Sequence, residues 1–158
     1  MKRPWNRTNL NIYSLATYNK KEINMNICTY VSVVNMHPKL YMISIDYNTL
    51  TYQNLNKKRT SFVLQCLSID NINIVAYLGK KSGKKFDKLK YLSKNNLLSN
   101  WKNYPILKKT CFVIELHNPK KVYEMQDHCM FVFQMKSFKN FDNRFLHFSD
   151  LISNKIIL

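Results

Sequence analysis

Apolar and polar positions alternate along most of this chain in short runs bounded by Asn, Lys, Pro or Gly, the pattern of half-buried β-strands. The pattern predicts a first strand at Ile12–Tyr18 after an irregular lead-in (Trp5 to Asn11), with Asn19–Glu22 as the following turn. A long strand over Asn24–Val34 comes next, in which Ile27, Thr29, Val31 and Val33 alternate with Cys28, Tyr30 and Ser32. Pro38 has no N–H for a ladder and marks the loop before a third strand, Leu40–Ile45. Strands over Ser61–Leu67, Thr110–His117 and Asp127–Met135 follow, the last expected to close the barrel. Asn118–Lys121 reads as a turn, after which Val122–Gln126 resumes the chain's extended course.

Helical signals are short. Thr49 or Thr51 can cap a segment running to Lys58, and Asp70 can cap one through Ile72, Ile74, Val75 and Leu78, with Gly79 as its C′ stop. Gly79 and Gly83 are the only glycines, so their loop is expected to bend where other residues would strain. Leu89–Trp101 reads as a short helix with a loop, and Phe141–Leu158 as a strand remnant plus a packing helix. The elements imply one domain over residues 1–158, with a core at about 12–137 and a C-terminal packing segment at 138–158. The class is α+β, mainly β: an antiparallel barrel of meander or Greek-key type with short peripheral helices.

A net charge of +16 opens the possibility of a nucleic-acid partner. The excess is 21 Lys against 4 Arg, in a chain crowded with Asn, Ile, Tyr and Phe, all residues with AT-rich codons. The lysine pairs scatter over turns and element ends, where charge is usually solvated surface, so no specific nucleic-acid binding is expected. Cys28, Cys66, Cys111 and Cys129 stand singly in apolar runs without a CxxC pair, which predicts buried reduced thiols and no metal site. No apolar run approaches the ~20 residues of a membrane span, and the basic N-terminus has no apolar stretch behind it. A cytoplasmic protein without a membrane partner is expected.

Three stretches carry chemistry. Asn24-Met25-Asn26-Ile27-Cys28-Thr29 sets small polar groups along a strand, as the edge of a flat hydrogen-bonding heterocycle needs. Asn48-Thr49-Leu50-Thr51 opens a helix with hydroxyls beside unpaired N–H groups, a seat for phosphate as well as a simple cap. Asp127-His128 enters an apolar strand, with the aspartate placed to fix the ring tautomer. The run Gly79-Lys80-Lys81-Ser82-Gly83-Lys84-Lys85 lacks the spacing of a nucleotide P-loop and is not preceded by a strand.

In their order along the chain these stretches resemble the flavin reductase-like family, whose fold is an FMN-binding split β-barrel. The resemblance covers roughly Tyr13 to Lys136. It implies FMN (or FAD) held non-covalently, hydride transfer from NADH or NADPH to the flavin, and a homodimer. It assigns Asn24, Met25, Asn26, Ile27, Cys28 and Thr29 to the ring, Asn48, Thr49 and Thr51 to the phosphate, and His128 to the nicotinamide side. The chain departs from the family pattern in three places. Leu50 stands where a Lys or Arg would meet the phosphate, so the anion must rely on Thr49, Thr51, backbone N–H groups or a lysine from elsewhere. Gln126 replaces a glycine, and Phe133-Gln134-Met135 replaces Gly-Glu-Val. A flavin-binding protein without reductase activity is the second reading, and a basic nucleic-acid-binding barrel the third.

Overall fold

The computed structural model describes Pro4, residues 8–20 and residues 22–157. Trp5 to Arg7 of the expected lead-in, and Lys21 of the expected first turn, lie outside the described residues. In chain order the elements are β1 (Tyr13–Asn19), β2 (Glu22–Cys28), β3 (Val31–Asn35), β4 (Leu40–Asp46), α1 (Leu50–Leu55) and β5 (Ser61–Cys66). They continue as α2 (Ile72–Lys80), α3 (Lys88–Lys94), β6 (Leu98–Trp101), β7 (Tyr104–Leu107), β8 (Phe112–Glu124), β9 (His128–Asn140) and α4 (Phe148–Ser153).

Seven strands form one antiparallel sheet in the order β2-β1-β5-β8-β9-β4-β3, and β6 pairs with β7 in a separate hairpin. The two edge strands, β2 and β3, are consecutive in sequence and separated only by Thr29 and Tyr30. The sheet must therefore curl until its edges meet, which makes it a split β-barrel with the split at that corner. The Val31 N–H donates to the Thr29 carbonyl (3.0 Å), and the Ser44 N–H to the Tyr30 carbonyl (3.1 Å), fixing the corner against β4. The single strand expected over Asn24–Val34 is thus two strands on opposite edges. Residues on both sides of the corner favour extended backbone equally, so propensity carries no sign of the break. Barrel closure likewise falls at this corner, whereas β9 lies inside the sheet between β8 and β4.

β1 and β5 are buried on both faces because the barrel has two cores. Leu15, Ile43, Ile45, Leu64, Leu116 and Phe133 fill the barrel interior. Ala16, Met25, Val63, Leu78, Leu92 and Leu146 form a second layer between the outer face and the helices. Full burial of a side chain as large as Phe133 contributes about 1.5–3 kcal/mol. The hairpin is pinned to the sheet by the Tyr18 hydroxyl donating to the Pro105 carbonyl (2.7 Å) and by Lys102 bound to the buried Glu115 carboxylate.

Local chemistry corrects three further expectations. Ser68, not Asp70, starts the second helical segment: its hydroxyl accepts from the Asp70 N–H and its N–H donates to Asn71 Oδ1 (3.0 Å). Gly79 lies within α2 rather than after it, and neither glycine has positive φ, so a strained bend is not their role. Leu98–Trp101 is a strand, and Asn118–Lys121 is a bulged stretch inside β8. There Asn118 takes φ 50° and the register with β9 shifts between His117 and Lys120, so the extra residues are absorbed without a chain reversal. β9 also runs on to Asn140, beyond the expected end at Met135.

Candidate functional site

The site is built from the alternation of β2. Ile23, Met25 and Ile27 pack into or against the outer core, which leaves Asn24 and Asn26 on the other face, toward the start of α1. The Asn24 amide donates to Thr51 Oγ1 (3.2 Å), and both residues are buried. Thr49 caps α1: its hydroxyl accepts from the Tyr52 N–H (3.2 Å) and donates to the Asp46 carbonyl (2.8 Å). Both threonine hydroxyls are therefore engaged within the chain, and they hold Asn24 and the start of α1 in place.

Three cavities lie end to end along this wall. One of about 230 Å³ is bounded by Asn26, Thr29, Tyr30, Asp46, Thr49 and His128. It shares Asn26, Thr49 and Gly79 with a middle cavity of about 140 Å³, which Asn24, Asn48, Thr51 and Lys88 also line. Asn24, Leu50, Gly83 and Lys88 are in turn shared with a third cavity of about 410 Å³. The first two adjoin as one groove along β2. Between it and the third cavity the Gly83 backbone packs so close to Asn24 that a Cβ would stand 2.3 Å from Asn24 Oδ1 and 3.1 Å from Leu50 Cδ2. Gly83 is required by space, not by its torsion angles.

His128 stands at the first end. β4 brings Asp46 opposite it in register, and Tyr47 fixes the preceding turn by donating to the carbonyls of Asp127 (3.2 Å) and Met125 (3.0 Å). His128 Nδ1 lies 2.9 Å from Asp127 Oδ1. A carboxylate only accepts, so Nδ1 carries the proton and Nε2 is left as the ring's acceptor. This contact with His128 lowers the Asp127 pKa. The Tyr30 ring meets the imidazole edge-on, with centroids 6.0 Å apart.

The residue that sequence reading missed is Lys88. It is 4 % exposed, and its ammonium donates to the Leu78 carbonyl. Among the described residues no carboxylate pairs with it; the neighbouring Asp87 spends Oδ1 on capping α3. Burial lowers its pKa to about 8. Buried charges are nearly always paired, so an ammonium on a groove wall with only a carbonyl for company is set up for an anion. It supplies the charge that Leu50 lacks. Lys80 and Lys81 add two more cations beside it.

Of the expected site residues, Asn24, Asn26, Asn48, Thr49 and Thr51 share the middle cavity, while Ile27, Cys28 and Thr29 border the His128 end. Met25 faces away: it is buried in the outer core, with its sulfur near the Gln65 amide (3.7 Å). Phe133 fills the barrel interior and Gln134 pairs with Leu40, so that departure from the family pattern bears on packing and touches no wall of the groove.

The curled seven-stranded sheet, with its edges at the Thr29–Tyr30 corner and a polar groove along β2, places the chain in the split-barrel class of fold. The family described as "Flavin reductase like domain" matches residues 6–150, and the chain belongs to it. No curated protein sequence matches significantly. Among solved structures the chain is similar to an FMN-binding protein from Thermus thermophilus, with a TM-score of 0.72, 19 % identity, and coverage of 89 % of this chain and 75 % of that one. It is also similar to the styrene monooxygenase flavin reductase of Pseudomonas putida S12 (TM-score 0.74, 13 % identity, 91 % and 89 % coverage). The NADH:FAD oxidoreductase of Streptomyces globisporus is a third such structure (0.70, 14 %, 88 % and 80 %).

Proposed function

We propose that this chain holds a phosphate-bearing flavin in the groove and accepts electrons onto it from NADH or NADPH, as a flavin reductase. The observation that carries the reading is Lys88, a buried ammonium without a carboxylate on the wall that Asn24 and Asn26 complete. The donor set fits the group. Asparagine amides and backbone of β2 suit the edge of a flat heterocycle, and the lysine suits a phosphate, with charge-assisted hydrogen bonds the strong ones here. A bound flavin supplies the redox chemistry, and the protein supplies binding, orientation and electrostatics.

The chain's own residues then have separate tasks. Lys88 neutralises the phosphate, Thr51 holds the Asn24 amide, and Thr49 keeps the start of α1 in register with Asp46. His128, with Nδ1 protonated toward Asp127, presents Nε2 to the side where the nicotinamide would lie. No general acid or base is needed for hydride transfer to a flavin; Cys28 and His128 border the same cavity, but His128 is hydrogen-bonded to Asp127.

A homodimer is part of the proposal. Tyr30 just before β3, Val33 and Val34 within it and Met36 in the turn that follows are exposed, with Tyr30 beside His128. An apolar edge strand left bare invites pairing. A cytoplasmic setting is proposed from the four buried single thiols; no described helix is long and apolar enough to cross a membrane. Steady-state oxidation of NADH and NADPH with added flavin tests the activity. Turnover that requires flavin and falls in His128→Ala supports it. Tight flavin binding with no nicotinamide oxidation would leave a flavin carrier instead.

A further inference from the structure

A separate cavity of about 370 Å³ shares no lining residue with the groove along β2. It opens where β8 outruns its neighbour. The pairing of β5 with β8 stops at Phe62 and Leu116, and the register of β8 with β9 shifts between His117 and Lys120. Arg59, Thr60, Ser61, Tyr104, His117 and Lys136 line the space. Among the described lining residues the one carboxylate is Glu115, which is buried. Lys102 and Lys136 both pair with it, Lys136 at 2.9 Å, and the Ser137 hydroxyl donates to it at 2.9 Å. Two ammoniums on one carboxylate leave one positive charge over. The Lys57 ammonium, also on the wall, is matched by Glu22 at 2.9 Å. Arg59 brings a second uncompensated charge, since its guanidinium has no hydrogen bond or ion pair among the described residues.

The backbone around the cavity is held in an unusual state. Arg59 (φ 60°) and Asn118 (φ 50°) on its walls, and Lys102 (φ 53°) beside Glu115, all take the left-handed conformation without being glycine. For a lysine or arginine that conformation is sterically costly, and such residues collect at ligand clamps. We propose that this cavity is a second ligand site, built for a phosphate monoester. Such a group carries close to two negative charges at neutral pH, which answers the two positive charges left over. The planar fork of Arg59 matches phosphate oxygens in pairs. The Thr60 hydroxyl donates to the Lys57 carbonyl (3.0 Å), which leaves the Ser61 hydroxyl as the free donor next to it. Tyr104 and Pro119 give the esterified group an apolar face. A carboxylate ligand would answer only half of the charge. The site goes beyond the flavin reading and stands apart from it in space.

The test is a calorimetric titration of the full chain with phenyl phosphate and, separately, with benzoate. It is run on Lys88→Met, in which the groove has lost its buried cation, and on that chain with Arg59→Asn or Arg59→Lys added. Asparagine tolerates the left-handed backbone, so the turn before β5 is kept. The Lys88→Met chain should bind one phenyl phosphate with a Kd of about 1 mM or tighter, and benzoate about tenfold more weakly. Adding Arg59→Asn should cut the phenyl phosphate affinity about tenfold or more. Arg59→Lys, which keeps the charge but not the fork, should fall between the two. Binding seen in the wild type and lost in Lys88→Met would return the phosphate to the groove along β2 and overturn the proposal. Absence of saturable binding in every chain would overturn it too. So would a site that neither Arg59 variant weakens, or one that takes benzoate as tightly as phenyl phosphate.

Discussion

At the residue scale the site turns on two positions that look ordinary in the sequence. Lys88 is one lysine in a run that also holds Lys84, Lys85 and Lys90, and nothing local separates the buried one from the solvated ones. Only the fold, by laying the start of α3 against the end of α2, takes its amine out of water. Lys88→Met should weaken FMN binding by about tenfold to a hundredfold and leave riboflavin unchanged, since a lost hydrogen bond to a charged group costs about 1.5–3 kcal/mol. The same change should raise the melting temperature of the ligand-free chain, because it removes an uncompensated buried charge. Between about pH 8 and the ordinary lysine range the unfolded chain binds this proton and the folded chain does not, so ligand-free stability rises with pH across that interval. FMN affinity should fall across the same interval, as titrations at pH 7 and pH 9 would register. The glycines were legible as special, but for the wrong reason. Gly83→Ala should cost about 1–3 kcal/mol and displace Asn24, whereas Gly79→Ala, whose Cβ would meet Ile27 at an ordinary 3.6 Å, should be neutral or stabilising by thermal melt.

Individual elements were readable wherever a run of alternating residues had clear ends. β1, β4 and β5 fall within a residue or so of their expected bounds, because polar turn residues flank them, whereas α1 starts at its expected cap but ends at Leu55 rather than Lys58. The misreadings occur where tertiary pairing overrides local preference. The corner at Thr29–Tyr30 divides a uniformly β-favouring run, and Asn118-Pro119 has turn chemistry but sits in a strand whose partner does not reverse. Asn24 and Asn26 could be singled out from sequence because two amides in an apolar strand need a reason. Their position opposite Thr51, and the engagement of both threonine hydroxyls, depended on how β2 packs against α1. The four cysteines belong to this scale too, each fixed in or beside a strand. Burial pushes Cys28 and Cys66 up to about 12 and Cys111 to about 11, and raises Cys129 as well. Thiol alkylation at pH 8 should therefore be negligible in the native chain and reach four groups once it is unfolded; rapid native labelling would contradict their burial.

For the whole molecule, the charge of +16 and the exposed β3 edge are the features a fold assignment leaves over. Several surface cations are paired, Lys57 with Glu22, Lys121 with Glu124 and Arg144 with Asp70, whereas the lysines that follow α2 gather beside the groove. Val33→Lys with Val34→Lys should shift the proposed dimer to a monomer in sedimentation, with loss of flavin affinity if the edge completes the His128 end. The barrel class was legible because strand spacing and the succession of polar stretches survive even where single motifs have drifted. The groove's length was not, since it depends on how the loop after α2 lies across β2. The most direct measurement is a fluorescence titration of the purified chain with FMN and riboflavin, wild type beside Lys88→Met. Saturable one-to-one binding in which FMN exceeds riboflavin by about tenfold or more, with that advantage lost in the variant, is the expected result. No uptake of either flavin at micromolar protein, or equal affinities that Lys88→Met leaves untouched, would contradict a flavin phosphate at Lys88.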